Sequence, residues 1–175
     1  MTALPAASLG AEGSGARVRV PSEVFGPLDV PEDECLTFPD GLLGFAAQRR
    51  YVLLPAAAEG VFWLQSCEEG SLVFLVVDPF AFVPDYAVSL PESLGAGEDA
   101  RDGAAPSGAA VLAIVTLPRA AGEPATANLQ GPIVVDPRTR TACQRVLGDG
   151  AYPTKHPIDL ERRLRETSSS GAPRR

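Results

Sequence analysis

Few side chains in this sequence have the types and spacing that catalysis or metal binding requires. His156 is the single histidine and stands between Lys155 and Pro157, so the chain has neither a multi-histidine metal site nor an HExxH motif. No GxSxG elbow surrounds a serine, and no glycine-rich phosphate-binding loop follows a strand pattern. We therefore predict that the protein is not an enzyme, that it holds no metal and no cofactor, and that His156 has a structural or contact role.

Cysteine usage indicates a reducing environment. Cys35, Cys67 and Cys143 are an odd number of thiols without CxxC spacing, which favours neither a disulfide framework nor metal ligation. Residues 1–16 lack the basic start and the apolar run of a secretory signal, and no apolar stretch approaches the ~18 residues of a membrane span. We expect free thiols in a cytoplasmic protein that does not enter a membrane.

Carboxylates are abundant, and they gather in polar turns rather than in apolar surroundings. Residues 20–136 contain 17 Asp and Glu against 4 Arg, a net charge of −13, whereas residues 137–175 carry a net charge of +5. Such a body repels nucleic acid phosphates and attracts basic protein surfaces, mainly by raising the association rate. Solubility alone also explains an acidic surface. The acids expected to form this field are Glu32, Asp33, Glu34, Glu68 and Glu69.

The strongest structural signal lies in the middle of the chain. Two runs rich in branched and aromatic residues, 61–66 and 72–78, flank a short polar segment that contains a glycine, which predicts a hairpin. The second run is apolar at almost every position, so we expect it to be covered on both faces in the middle of a sheet. Two prolines follow and exclude a central strand there, and Phe80 and Phe82 are expected to pack this turning segment onto the core.

Short strand patterns dominate the rest of the chain. They predict a mainly all-β, single-domain, antiparallel β-barrel-like fold with one or two short helices. Besides the central pair, strands are expected twice within 17–30 and at 35–38, 51–55, 86–90, 111–118, 125–130, 133–136 and 142–147. Residues 1–16 are expected to be a disordered extension, and residues 17–158 are expected to form the β domain, which includes a long loop at 91–108. Residues 159–175 are expected to form a short helix at 159–166 and a flexible basic tail.

Six sequence blocks stand out along the chain, and they are FPDGLLGF (38–45), FWLQS (62–66), LVFLVVDPFAFVPDY (72–86), VLAIVTLP (111–118), TANLQGPIVVD (126–136) and QRVL with YPTKHPI (144–147 and 152–158). Taken in this order, they resemble the FliW family of flagellar assembly factors. The second and third blocks, followed by the fifth, form the most specific part of the pattern. Together the six cover roughly residues 17–158, nearly the whole predicted β domain.

The resemblance implies a cytoplasmic binding protein with two partners. One is flagellin, which would sequester it. The other is CsrA, an RNA-binding regulator, and binding to it would relieve the repression of flagellin translation. The family's antagonism of CsrA is described as non-competitive, so we expect the acidic surface to exclude RNA by charge and shape rather than to cover the RNA-binding surface. The protein itself is not expected to bind nucleic acid.

Exposed segments carry the residues expected to bind a partner. The loop 39–45 and the segment 152–156 are rigidified by proline or glycine and present apolar or aromatic side chains. Asn128 lies beside a predicted bend, where it would contact a partner or satisfy the backbone around Pro132. Phe45 would likewise contact a partner or plug the core beneath its loop. The full set is Pro39, Leu42, Leu43, Phe45, Asp85, Asn128, Tyr152, Lys155 and His156.

Two other functions compete with protein binding. A small-molecule-binding or flavin-dependent β-barrel protein would need basic side chains that converge on a phosphate, and residues 20–136 have four Arg and no Lys. Direct RNA binding would depend on the basic end of the chain, where the charges are better explained by a solvated helix and tail. A protein-binding regulator is therefore the leading interpretation.

Overall fold

The computed structural model describes residues 15–88, 108–148 and 150–170. Most of the extension predicted at 1–16 and of the loop predicted at 91–108 lies outside these ranges. The described strands are β1 (Arg17–Val20), β2 (Leu28–Pro31), β3 (Cys35–Thr37), β4 (Arg50–Pro55), β5 (Val61–Ser66), β6 (Val73–Val77), β7 (Ala110–Thr116), β8 (Ala125–Ala127), β9 (Ile133–Asp136), β10 (Thr141–Gln144) and β11 (His156–Ile158). Two 3-10 helices span Glu32–Glu34 and Pro79–Ala81, and the helix α1 spans Leu160–Ser170.

Seven strands close into a barrel. Around the ring the order is β7, β6, β5, β4, β3, β10 and β9, and β9 pairs again with β7. Neighbours in this ring run antiparallel except β3 and β10, which pair in parallel at Thr37 and Thr141. A closed ring with an odd number of strands cannot alternate direction throughout, so one parallel pair is unavoidable. The predicted mainly all-β barrel is confirmed, with this correction to its antiparallel order.

The barrel interior is filled by side chains from alternate strand positions, as the two-residue period of a strand requires. Each residue of this core is at most 3% exposed. The interior is therefore a packed core, built like that of other small barrels. Its members are Leu36, Phe38, Leu42, Tyr51, Leu53, Leu64, Val76, Leu112, Ile133, Val135 and Ala142.

Two further cores cover the outside of the barrel. The hairpin of β1 and β2 packs across β3 and β4, where Val20 and Val30 meet Val52 and Leu54. Elsewhere β8, β11, the second 3-10 helix and α1 cover the outer side of β5, β6 and β7. β4 is therefore enclosed on both faces, which explains why its residues 51–54 are buried in succession.

The central hairpin has the predicted form. β5 and β6 pair antiparallel, and β6 lies in the middle of the sheet between β5 and β7. Asp78 then caps the second 3-10 helix by accepting a hydrogen bond from the Phe80 N–H at 2.9 Å. Phe80 and Phe82 are half-buried against the outer core, as expected for a segment that turns away from the sheet.

The strand predicted at 86–90 is wrong in its described part, because residues 86–88 form no ladder. Tyr86 is buried and donates its hydroxyl hydrogen to the Leu129 carbonyl at 2.7 Å. The Ala87 N–H donates to the hydroxyl oxygen of Tyr152 at 2.9 Å instead of to a neighbouring strand. Side-chain contacts thus replace backbone pairing here, which a strand pattern does not reveal.

Two strands end three residues earlier than predicted, and one was missed. β8 and β10 each stop three residues before the predicted end, where the segment 128–132 turns and the Leu147 N–H donates to the Gln130 carbonyl at 2.8 Å. β11 pairs antiparallel with β8, although Pro157 occupies its middle position. A three-residue strand with a central proline carries no strand signal, because proline lacks the ladder donor.

α1 matches the helix predicted at 159–166 and continues to Ser170. Asp159 precedes it and accepts a hydrogen bond from the Arg162 N–H at 2.9 Å, which is a typical helix N-cap. Leu160 and Leu164 pack against the outer core, so this helix is docked on the barrel. Across the described ranges, no helix has the length and apolar composition that would let it cross a bilayer.

Candidate protein-binding surfaces

The loop 39–45 is a rigid platform with one buried and two exposed apolar side chains. Leu42 is 2% exposed and belongs to the barrel interior, so it anchors the loop instead of facing a partner. Leu43 is 62% exposed and Phe45 is 39% exposed. Gly41 has a φ of +69°, and a Cβ there would lie 2.6 Å from the Ala46 Cα. Glycine is therefore required for the tight turn that presents Leu43.

Gln144 joins this loop to the predicted bend at 128–132. Its Oε1 accepts a hydrogen bond from the Leu43 N–H at 3.0 Å, and its Nε2 donates to the Gly131 carbonyl at 3.0 Å. Asn128 Oδ1 accepts from the Gly131 N–H at 2.9 Å. Asn128 thus satisfies the backbone before Pro132, the structural alternative considered for it. The network places Asn128 and Leu43, predicted as separate contacts, on adjoining segments.

Val146 adds an exposed apolar side chain to the same region. It is 64% exposed and lies between Arg145 and Leu147, whose N–H groups donate to the Pro132 and Gln130 carbonyls, both at 2.8 Å. We call Leu43, Phe45 and Val146 the apolar surface. Phe45 also meets the Phe74 ring edge-on at 5.2 Å between centroids, so it both supports its loop and faces solvent.

Tyr152 and Asp85 lie next to the Asn128 turn. The Tyr152 ring packs edge-on against Tyr86 at 4.7 Å between centroids, and the Leu129 N–H donates to the Pro153 carbonyl at 3.2 Å. The Tyr152 hydroxyl lies 3.5 Å from the Asp85 carbonyl oxygen. Tyr152 is half-buried and Asp85 is exposed. Asp85 therefore accompanies Tyr152 and not the other predicted acids.

Lys155 and His156 belong to a different part of the surface. His156 is half-buried in β11, where it pairs with Ala127. Lys155 lines an open groove of about 330 Å³ together with Arg119, Glu123 and other residues of the β7–β8 connection. Pro39 is exposed at the start of the first loop. The predicted contact residues thus divide between the apolar surface with its neighbours and this groove.

The acids predicted from two distant segments come together around Arg50. Its guanidinium Nη2 lies 3.3 Å from Glu32 Oε1. Glu68 Oε2 accepts hydrogen bonds from the backbone N–H groups of Arg49 at 2.6 Å and Arg50 at 3.3 Å. The first 3-10 helix and the β5–β6 connection thereby form one region. We call this region the acidic cluster, and its members are Glu32, Asp33, Glu34, Glu68 and Glu69.

Arg140 fixes the other side of the acidic cluster. Its guanidinium donates to the backbone carbonyls of Asp33 at 3.0 Å and Glu34 at 3.1 Å, and its own carbonyl accepts from the Thr37 N–H at 2.8 Å. Arg140 has a φ of +56°, a conformation that costs a non-glycine residue about 1–2 kcal/mol. These contacts hold the strained backbone at the point where β10 meets β3 and the barrel closes.

Within the acidic cluster, hydrogen bonds favour the charged form of Glu69. The hydroxyl and the backbone N–H of Ser71 donate to Glu69 Oε1 at 2.8 and 3.3 Å and lower the pKa of that carboxyl. Glu32, Asp33, Glu68 and Glu69 are exposed to solvent. The cluster therefore presents carboxylates to solvent on segments whose arrangement is fixed by hydrogen bonds.

The arrangement suits contact with another macromolecule better than chemistry on a small molecule. Within the described ranges, no three His, Cys, Asp or Glu side chains lie close enough to hold a metal ion together. The interior positions are filled by apolar side chains, and the Arg50 guanidinium is paired with Glu32. The described interior therefore offers no basic groups that converge on a flavin phosphate. Exposed apolar and acidic side chains on rigid segments remain.

Comparisons with known proteins identify relatives of this chain. A sequence model of the family described as FliW protein matches residues 19–158. The chain is 36% identical over 144 residues to the flagellar assembly factor FliW of Treponema denticola. That alignment covers 82% of this chain and 95% of the relative. It is 40% identical over 136 residues to the flagellar assembly factor FliW of Geobacter sulfurreducens. That alignment covers 77% of this chain and 82% of the relative.

A solved structure agrees with these matches. The crystal structure of a flagellar assembly factor FliW superposes with a TM-score of 0.66 at 28% identity, over 82% of this chain and 98% of that chain. Both the sequence and the architecture are therefore similar to one family over the whole barrel.

Proposed function

This chain belongs to the FliW family and has a role in flagellum assembly, and from that premise we propose that it is a non-enzymatic cytoplasmic regulator. It acts by binding two protein partners. The partners are flagellin and the RNA-binding regulator CsrA. Bound to flagellin, the protein is sequestered. Once flagellin has been exported, the free protein binds CsrA and relieves the repression of flagellin synthesis.

The observation that carries this proposal is the apolar surface on its rigid support. Leu43 and Val146 are more than 60% exposed, yet the Leu43 N–H and the N–H groups on either side of Val146 are held by hydrogen bonds to other segments. Exposed apolar groups on a preorganised backbone bind a partner with little loss of conformational entropy. We propose that both partners use this surface, so that they exclude one another.

The acidic cluster supports a second part of the proposal, which concerns CsrA alone. An RNA-binding partner presents basic side chains to phosphates, and fixed carboxylates attract such a surface over a distance of about one Debye length, ~8 Å at physiological salt. Arg50 pairs with the Glu32 carboxylate and Arg140 binds the backbone carbonyls of Asp33 and Glu34, and both contacts hold the cluster in place. The cluster thus speeds the capture of CsrA and keeps RNA away by charge.

The test is a pairwise binding assay with CsrA and flagellin from the same organism, followed by competition. We expect binding to each partner, and we expect added flagellin to release CsrA from the protein. A ternary complex at saturating concentrations would contradict the shared apolar surface. Binding to neither partner would contradict the regulatory role and would leave the family fold with a different function.

A further inference from the structure

Two of the three cysteines meet in the structure, although nothing in their spacing indicates a pair. Cys35 begins β3 and Cys67 directly follows β5, and their Sγ atoms lie 3.8 Å apart with the Cys67 thiol donating to Cys35. All three cysteines are free thiols, and Cys143 lies in β10. The sequence interpretation of three unrelated thiols is therefore incomplete, because two of them form a dithiol pair.

The pair lies beside the acidic cluster, at the edge of the core under the β1–β2 hairpin, and has an asymmetric environment. Cys35 is 6% exposed, whereas Cys67 is half-buried. The hydrogen bond from Cys67 lowers the pKa of Cys35 to about 7, and the positive charge of Arg50 acts in the same direction while burial opposes it. The same hydrogen bond and burial raise the pKa of Cys67 far above its usual value. The shared hydrogen bond thus favours the thiolate on Cys35 and the protonated thiol on Cys67.

We propose that Cys35 and Cys67 form a reversible oxidation site, which a hydroperoxide converts into an intramolecular disulfide. The geometry carries this inference, since a nucleophilic sulfur and a second thiol that can resolve the first oxidation product are already in contact. The site goes beyond partner binding and depends on neither CsrA nor flagellin.

The reaction balances in two steps with hydrogen peroxide as the oxidant. The Cys35 thiolate attacks one peroxide oxygen, the O–O bond breaks, and the departing hydroxide takes up a proton to become water, which leaves a sulfenic acid on Cys35. The Cys67 sulfur then attacks the Cys35 sulfur, an S–S bond forms, and the sulfenic hydroxyl leaves with the Cys67 proton as water. Two thiols are oxidised by two electrons, and peroxide is reduced to two water molecules.

Closure of the disulfide moves the residue that follows β5. The two sulfurs must approach from 3.8 Å to about 2.05 Å. Cys35 is fixed within β3, whereas Cys67 lies beyond the end of β5 and donates its N–H to the Arg50 carbonyl at 2.9 Å. The adjacent Glu68 accepts from the N–H groups of Arg49 and Arg50. Oxidation therefore displaces Glu68 and rearranges the acidic cluster.

The first test uses a Cys143→Ser variant, in which the pair supplies both remaining thiols. After treatment with hydrogen peroxide, we expect both thiols to disappear, the intact mass to fall by two hydrogens, a peptide map to link Cys35 with Cys67, and dithiothreitol to reverse all three changes. In matched variants, Cys67→Ser should gain oxygen on Cys35 without an intramolecular link, whereas Cys35→Ser should react more slowly, because burial favours the protonated Cys67 thiol. Two thiols that persist, or that gain oxygen independently in Cys143→Ser, would overturn the proposal.

A second measurement tests the link to the acidic cluster. Amide resonances of Arg49 and Arg50 are compared by NMR in the reduced and oxidised Cys143→Ser protein. We expect these resonances to shift on oxidation and to return with dithiothreitol, because their acceptor Glu68 moves. A disulfide that forms while both amides stay unchanged would overturn the proposed coupling. Neither readout depends on a partner, so failure here is distinguishable from failure of the proposed regulatory role.

Discussion

The apolar surface and the acidic cluster are assembled in the same way but from opposite chemistry. Each brings distant segments together through one side chain, neutral Gln144 in the first and cationic Arg50 in the second. The first exposes side chains that bury area on contact and thereby slow dissociation. The second exposes charges that act before contact and weaken with salt. In the proposed function, one small barrel thus separates the strength of binding from the selection of a partner.

The largest expected effect comes from breaking the apolar surface with Leu43→Asp and Val146→Asp together. Each lost apolar contact is worth ~1.5–3 kcal/mol, so affinity for both CsrA and flagellin should fall about 100-fold or more, mainly through faster dissociation. Surface plasmon resonance measures this directly. Val24→Asp is the matched control, because Val24 is also 58% exposed but lies between β1 and β2. An equal loss of affinity in the Val24→Asp control would contradict the assignment of partner binding to the apolar surface.

A smaller effect is expected from Gly41→Ala, which disturbs the support of the same surface. A Cβ there lies 2.6 Å from the Ala46 Cα in addition to the positive φ, so we expect ~2–4 kcal/mol of destabilisation in urea denaturation. Gly44→Ala provides the control, since φ is +85° but a Cβ meets nothing within 4 Å. It should lose only ~1 kcal/mol. Equal losses of stability in the two variants would contradict the close approach between position 41 and the Ala46 backbone.

A similar or smaller effect is expected on the acidic side from Arg140→Ala. The change removes two guanidinium hydrogen bonds to backbone carbonyls and leaves the positive φ in place, so stability should fall by ~2 kcal/mol. Arg138→Ala should change stability by less than ~0.5 kcal/mol, because its side chain is 76% exposed. Denaturation of both variants compares them. Equal stability of the two would mean that Arg140 does not secure the barrel closure.

Much of the fold could be predicted from the sequence, because its strands are defined by local patterns. The hairpin of β5 and β6 and the buried β7 follow from runs of branched apolar residues, and Asp159 marks the start of α1. Local patterns fail where the structure depends on distant partners. β11 forms because its residues pair with β8. Tyr86 is not part of a strand, and its hydroxyl donates to the Leu129 carbonyl instead.

The candidate surfaces were predictable in composition but not in assembly. The acids and the loop 39–45 were identified from their residue types, yet the residues that organise them were missed. Gln144 lies 101 positions from Leu43, and Arg140 lies more than 100 positions from Asp33 and Glu34. A polar residue within an alternating strand carries no sign of such a contact until the barrel closes. The Cys35–Cys67 pair was missed for the same reason.

The most direct test of the division between the two regions is the kinetics of CsrA binding over a series of salt concentrations. Three proteins are compared: the native chain, Leu43→Asp/Val146→Asp, and Asp33→Lys/Glu69→Lys, which reverses two carboxylates that do not bind Arg49 or Arg50. Glu59→Lys/Glu166→Lys is a control, because it changes the net charge equally outside the acidic cluster. All three variants should first show native thermal unfolding.

We expect the apolar variant to dissociate faster with an unchanged salt dependence of association. The acidic-cluster variant should associate more slowly and lose most of that salt dependence, while the charge-matched control keeps it and flagellin binding is unaffected. If both variants changed the same rate constant, or if the charge-matched control behaved like the acidic-cluster variant, the separation of binding strength from partner selection would be contradicted.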